Sequence, residues 1–148
     1  PMNTEFSFSP EIKDRITVLV VEDNLLNQKL DSFILNNWGL KHEICSNGLK
    51  AIQRLQQKSF DVILMDMQMP ELNGYDATRF IREELKLTTP VIGITAHATA
   101  GEKEKCLLIG MNNYISKPIN EAELHELFSV YLSLSHSSET AETAELKV

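Results

Sequence analysis

The stretch Ile16-Thr17-Val18-Leu19-Val20-Val21-Glu22-Asp23-Asn24 decides how this chain folds. A continuous run of apolar and β-branched residues, without polar alternation, suits a strand buried on both faces, and such strands belong to parallel sheets covered by helices. The expected helix follows at once. Leu26, Leu30, Phe33, Ile34 and Trp38 recur at near-helical spacing, with Asp23 or Asn24 as cap and Gly39 as stop.

The same cycle repeats down the chain. Residues 41–45 read as a weaker strand, and Asn47-Gly48 opens a helix carrying Ala51, Ile52 and Leu55. A third strand covers 61–65, and after the loop Met69-Pro70-Glu71-Leu72-Asn73-Gly74 a helix presents Ala77, Phe80 and Ile81. A fourth strand at 90–94 leads to a helix over 97–108 ended by Gly110, and a short fifth strand occupies 113–115. The last helix is capped by Asn120, with Glu123 completing a capping-box-like pair and a stripe of Leu124, Leu127, Phe128, Tyr131 and Leu132. Right-handed crossovers between parallel strands place helices on both sheet faces, so the expected fold class is α/β, an open doubly wound five-stranded parallel sheet. Five units are too few for an eight-stranded barrel.

Length and composition fit one soluble domain. The 148 residues are 43% hydrophobic and 24% charged, and 14 Lys and Arg against 21 Asp and Glu give a net charge of -7. That balance, without a basic block, excludes direct nucleic-acid binding as the expected function. No apolar stretch reaches the roughly 20 residues that span a bilayer, and no signal peptide is legible, so the expected setting is cytoplasmic, any parent chain being free to carry a membrane anchor. Cys45 and Cys106 lack metal-ligand spacing and read as buried reduced thiols; the histidines show no paired spacing, which argues against zinc. Trp38 reads as packing. The domain expectation is an extension or cloning remnant over 1–14, a folded domain over 15–133, and a flexible Ser-, Thr-, Glu- and Ala-rich tail over 134–148.

In such a sheet, ligands bind at the carboxyl ends of the strands. There the chain offers Glu22 and Asp23, Asp66, Thr95 and Lys117 in succession. Singly, each has a bland explanation as a helix cap or a solvent contact. Together they form a crevice of three carboxylates, whose pairwise repulsion is about 4 kcal/mol at 4 Å and an effective dielectric near 20. A hard divalent cation, Mg²⁺ or Mn²⁺, offsets it, with Glu22 and Asp23 as ligands. Asp66 then becomes a nucleophile toward phosphorus, while Thr95 donates to one phosphoryl oxygen and Lys117 pairs with another.

Val20-Val21-Glu22-Asp23-Asn24 with Asn27-Gln28, Leu64-Met65-Asp66-Met67-Gln68-Met69-Pro70, Asn73-Gly74, Ile94-Thr95-Ala96 and Tyr114-Ile115-Ser116-Lys117-Pro118 resemble the receiver domain of two-component phosphorelays. The resemblance covers the whole folded body. It implies a flavodoxin-like strand order of 2-1-3-4-5, Asp66 as phosphoacceptor, the Gln68 backbone carbonyl as a metal ligand beside Glu22, Asp23 and Asp66, Thr95 and Tyr114 as switch residues, and a cis peptide before Pro118. Gln68 and His97 match positions flanking the path of the hydrolytic water. The implied partner is a histidine kinase or histidine phosphotransfer domain, with homodimerisation conceivable through the fourth helix, fifth strand and fifth helix. The motifs look most like those of hybrid sensor histidine kinases, the runner-up being a stand-alone regulator. Two other classes fit less well: a metal-dependent phosphohydrolase usually wants a second Asp two residues beyond the nucleophile, where Gln68 stands, and a flavin or nucleotide module wants a phosphate loop where Glu22-Asp23-Asn24 stands.

Overall fold

Side chains alternating across one strand build two cores at once. In the computed structural model, which describes residues 8–96 and 99–136, β1 (Thr17–Val21) sends Val18 and Val20 to one face of the sheet and Leu19 and Val21 to the other, all four buried. The first face packs under α2 (Leu25–Trp38) and α6 (Glu121–His136) through Ile34, Leu35, Trp38, Leu124, Phe128 and Leu132. On the second face, α3 (Gly48–Gln57), α4 (Gly74–Glu83) and α5 (Ala100–Leu108) contribute Ala51, Leu55, Ala77, Ile81 and Cys106. Each Leu, Ile or Phe among them stabilises the fold by about 1.5–3 kcal/mol on full burial.

The remaining strands are β2 (Lys41–Cys45), β3 (Val62–Asp66), β4 (Val91–Thr95) and β5 (Asn113–Ser116). All pairings are parallel and the order is β2-β1-β3-β4-β5, the doubly wound arrangement expected from the sequence. β3 and β4 are buried along their whole length; β2 and β5, at the edges, are only partly covered. The helices that follow the strands are capped alike: the side chains of Asn24, Asn47, Asn73, Thr99 and Asn120 each accept from a backbone N–H three residues on. Each such cap is worth about 1 kcal/mol. Because all the strands are parallel, their carboxyl ends lie along one edge of the sheet. No helix among the described residues is long and apolar enough to cross a membrane.

Three local expectations are revised. The near-helical set Leu26, Leu30 and Phe33 does not face the sheet; these residues are exposed, and α2 instead buries Asp31, Ile34, Leu35 and Trp38. Apolar residues lie on both sides of this helix, so spacing alone does not choose the inner one. The fourth crossover helix starts at Ala100 rather than 97, because the Thr99 side chain caps the Glu102 N–H; His97 lies outside the described residues. Part of the stretch read as an extension is packed: Pro10–Arg15 forms α1, and Phe8, 8% exposed, sits against Trp38 and His125 at ring distances of 5.8 and 4.5 Å. Trp38 is fully buried, meets Phe128 edge-on and donates its indole N–H to Glu121 at 3.1 Å. Both cysteines are free thiols; Cys106 is buried, whereas Cys45 is half-buried.

Candidate functional site

β1 and β3 are neighbours, so the acids at their ends meet. Carboxylate oxygens of Glu22, Asp23 and Asp66 all lie within 4.8 Å of one another, with Glu22 and Asp66 buried and Asp23 exposed. The backbone fixes them: the Gln28 side chain donates to the Glu22 carbonyl at 2.7 Å, and Glu22 Oε2 accepts the Asn24 N–H at 3.1 Å. Asp66 is 1% exposed, yet its Oδ1 is doubly answered, by Lys117 Nζ at 3.1 Å and the Gln68 N–H at 3.1 Å. Lys117 reaches it from the end of β5, where the Lys117–Pro118 peptide is cis. Behind the crevice, Gly74 leaves room for the chain: a Cβ there would lie 2.7 Å from the Asp66 carbonyl oxygen and the Met67 sulfur.

Thr95 ends β4, one residue beyond the Asp66–Ile94 pairing, and is fully buried. The Gln68 carboxamide links it to the crevice, Nε2 donating to Thr95 Oγ1 at 3.2 Å while Oε1 accepts the Ala96 N–H at 3.2 Å. One exposed side chain thus covers both a hydroxyl and a backbone N–H beside the acid. Tyr114 pairs with Gly93 in the strand register and is half-buried, lining a shallow depression with Lys103, Ser116 and Glu123. Glu22, Asp23, Asp66, Gln68, Thr95 and Lys117 are therefore brought together, and Tyr114 lies in β5, three residues before Lys117.

Charge in the crevice is out of balance. Burial, opposed by the Asn24 N–H and reinforced by Asp66, pushes the Glu22 carboxyl up to about 7, with Lys117 opposing weakly. A cluster made only of oxygen donors, with one acid already resisting ionisation, fits a hard divalent cation and fits zinc or copper poorly. Reading strand ends did not find a further acid. Asp31, on the inner side of α2, is 2% exposed, and burial first, then Asp66, raise its carboxyl to about 7 against the pull of Lys117. Its spacing three and four residues before Ile34 and Leu35 was the available signal.

Comparison with known proteins matches residues 18–129 to the response regulator receiver domain. The chain belongs to that family. Over 145 residues, 97% of the chain, this receiver is 41% identical to the signal transduction histidine-protein kinase BarA of Escherichia coli, spanning only 16% of that protein's length. It superimposes with a TM-score of 0.73 on the receiver domain of a sensor histidine kinase of Pseudomonas aeruginosa, described with a magnesium ion coordinated in its active site cleft; identity is 37%, covering 80% of this chain and 98% of that one. A TM-score of 0.74 relates it to the receiver domain in the complex of the Saccharomyces cerevisiae histidine phosphotransfer protein Ypd1 with the response regulator Ssk1, at 28% identity and coverage of 81% and 90%. Receiver domains bind Mg²⁺ at an acidic site and accept phosphoryl groups from histidine kinases or phosphotransfer proteins, the family's role in phosphorelay.

Proposed function

We propose that Asp66 accepts a phosphoryl group from a partner phosphohistidine. The observation that carries this is the buried Asp66 carboxylate, held at one oxygen by Lys117 and the Gln68 N–H and flanked by Glu22 and Asp23. Glu22, Asp23, Asp66 and the Gln68 backbone carbonyl would hold Mg²⁺, or Mn²⁺ in its place. When bound, the cation neutralises the acids and the charge of the incoming phosphoryl group.

The chain's own groups then divide the work. One Asp66 oxygen forms the new P–O bond as the P–N bond to the donor imidazole breaks, the electron pair of that bond leaving with the imidazole nitrogen. Lys117 pairs with a phosphoryl oxygen in place of Asp66 Oδ1, and the Thr95 hydroxyl donates to another. For Thr95 to do so, its hydroxyl must turn away from Glu102 Oε1, to which it donates at 3.5 Å, while it can go on accepting from the Gln68 carboxamide. Tyr114 responds to the movement of Thr95, carrying the switch to the face of α5, β5 and α6, where a homodimer would form. Gln68 would border the water that later hydrolyses the acyl phosphate.

A receiver of this kind, 41% identical to part of a histidine-protein kinase, fits as one module of a cytoplasmically facing hybrid sensor kinase, with a stand-alone regulator as the second reading. The module includes Phe8, which is packed against Trp38 of α2 and His125 of α6. Incubation with Mg²⁺ and a small phosphoramidate, read by intact mass, tests the assignment. The expected result is one added phosphoryl group on the protein and none on Asp66→Asn; addition that survives Asp66→Asn removes Asp66 from the role.

A further inference from the structure

A cavity of about 280 Å³ lies between α2 and the loop after β5, lined by Leu30, Ile94, Pro118 and Ile119 and flanked by Asp31 and Lys117. That is close to the lower edge of the roughly 300–1,000 Å³ of small-molecule sites, and its walls are mainly apolar with few polar groups. Its charged groups are not equally satisfied. Lys117 is engaged by Asp66 at 3.1 Å, and Glu22, which also borders the space, accepts the Asn24 N–H. Asp31 is 2% exposed, and its Oδ2 finds no hydrogen-bond partner among the described residues. A carboxylate taken out of water without a partner is costly, and the cost is removed by a donor delivered into the same space.

We propose that this cavity is a binding site for a small primary alkylammonium ion, its N–H groups on Asp31 and its methylene chain on Leu30, Ile94, Pro118 and Ile119. The charge type follows from what is already answered. In the unphosphorylated protein an anion would have to compete with Asp66 for Lys117 and would stand beside the Asp31 carboxyl, whereas a monocation meets an acid with an open lone pair. A divalent cation is less suited, because the walls are mainly apolar, with Glu22 and Asn27 as the other oxygen-bearing side chains and Lys117 beside them, and such ions demand several oxygen ligands. A primary ammonium also carries the N–H donors that Asp31 Oδ2 lacks, which a quaternary ammonium does not. The site adjoins the phosphoacceptor crevice through Glu22 and Lys117 but uses neither the nucleophile nor the metal ligands as its anchor.

Titration of the unphosphorylated protein with n-butylammonium chloride at pH 8, without divalent cation, tests this independently of phosphoryl transfer. Amide and methyl resonances of Leu30, Ile94 and Ile119 should shift saturably, with a Kd on the order of millimolar, as a ligand of about five non-hydrogen atoms permits. Asp31→Asn, similar in shape but uncharged, should weaken binding about tenfold or more while keeping the native amide spectrum. Asp31→Leu, which places carbon in the same position, should abolish it. Equal shifts from n-butanol, shifts that persist in Asp31→Asn, or no saturable shift at these residues would overturn the proposal; persistence would put the cation on Glu22, Asp23 and Asp66 instead.

Discussion

Asp66 and Asp31 are both buried acids of one small domain, 1% and 2% exposed, and their surroundings could hardly differ more. Asp66 stands at a strand end where a lysine from β5 and a backbone N–H from its own loop converge on one oxygen. Asp31 stands mid-helix beside a mainly apolar cavity, one oxygen unanswered, its carboxyl raised to about 7 by burial first and then by Asp66. Strand ends bring groups from distant parts of the chain together; the flank of a helix offers only what its neighbours happen to present. A carboxylate placed among converging donors is ready to react. One placed among methyl groups tends to hold its proton.

Four substitutions break or sharpen that contrast. Lys117→Ala strips Asp66 of its cation and makes it resemble Asp31; phosphoryl addition from a small donor should slow about 100-fold or more, by intact-mass time course, with the fold retained. Asp31→Asn removes the unanswered charge. Because the Asp31 carboxyl is raised from 3.8 to about 7, the folded state holds its proton across that interval while the unfolded chain has released it. Stability therefore falls as pH rises from about 4 to about 7 and stays lowered above it. The Asn variant should lose that part of the slope and gain on the order of 2 kcal/mol at pH 8, measured by urea unfolding at both ends of the range.

Gly74→Ala disturbs the support beneath Asp66, since its Cβ would stand 2.7 Å from the Asp66 carbonyl oxygen. It should cost about 1–2 kcal/mol in the same unfolding assay and slow phosphoryl addition as well. The smallest effect belongs to a third kind of acid. Glu43, near the surface, is held down to about 2 by hydrogen bonds from Arg54 and Lys58, with burial working weakly against them. Its contribution is present above the ordinary carboxylate range and lost as pH falls from about 4.5 toward 2. Solvent screening limits Glu43→Gln to about 0.5 kcal/mol at pH 7, and that difference should vanish near pH 2.

The same contrast explains what could be read from the sequence. β-branched runs ending in acids specify parallel strands, and parallel strands fix where their ends meet, so Glu22, Asp23, Asp66, Thr95 and Lys117 could be gathered before any coordinates. The inner face of α2 was not legible, because Leu26, Leu30 and Phe33 compete with Ile34, Leu35 and Trp38 for the same periodicity, and the choice hides Asp31. The Gln68 carboxamide on Thr95 and Ala96 joins residues 27 and 28 positions apart, which no local pattern encodes. Helix α1 is illegible for a related reason: among the described residues, the hydrophobic side chains that join it to the core ahead of Ile16 are Phe8 and Ile12, too few for a period.

Trp38 is the chain's only tryptophan, and it sits among Phe8, His125 and Phe128 with its indole nitrogen bonded to Glu121, on the α2 and α6 side of the sheet. Its fluorescence is a built-in gauge of whether that aromatic nest is closed. The emission follows unfolding of the whole domain and the seating of Phe8, so Phe8→Ala should redden it even in the native state. Chemistry at Asp66 involves none of the indole's neighbours, which lets one optical signal rank variants by stability while a separate measurement ranks them by reactivity.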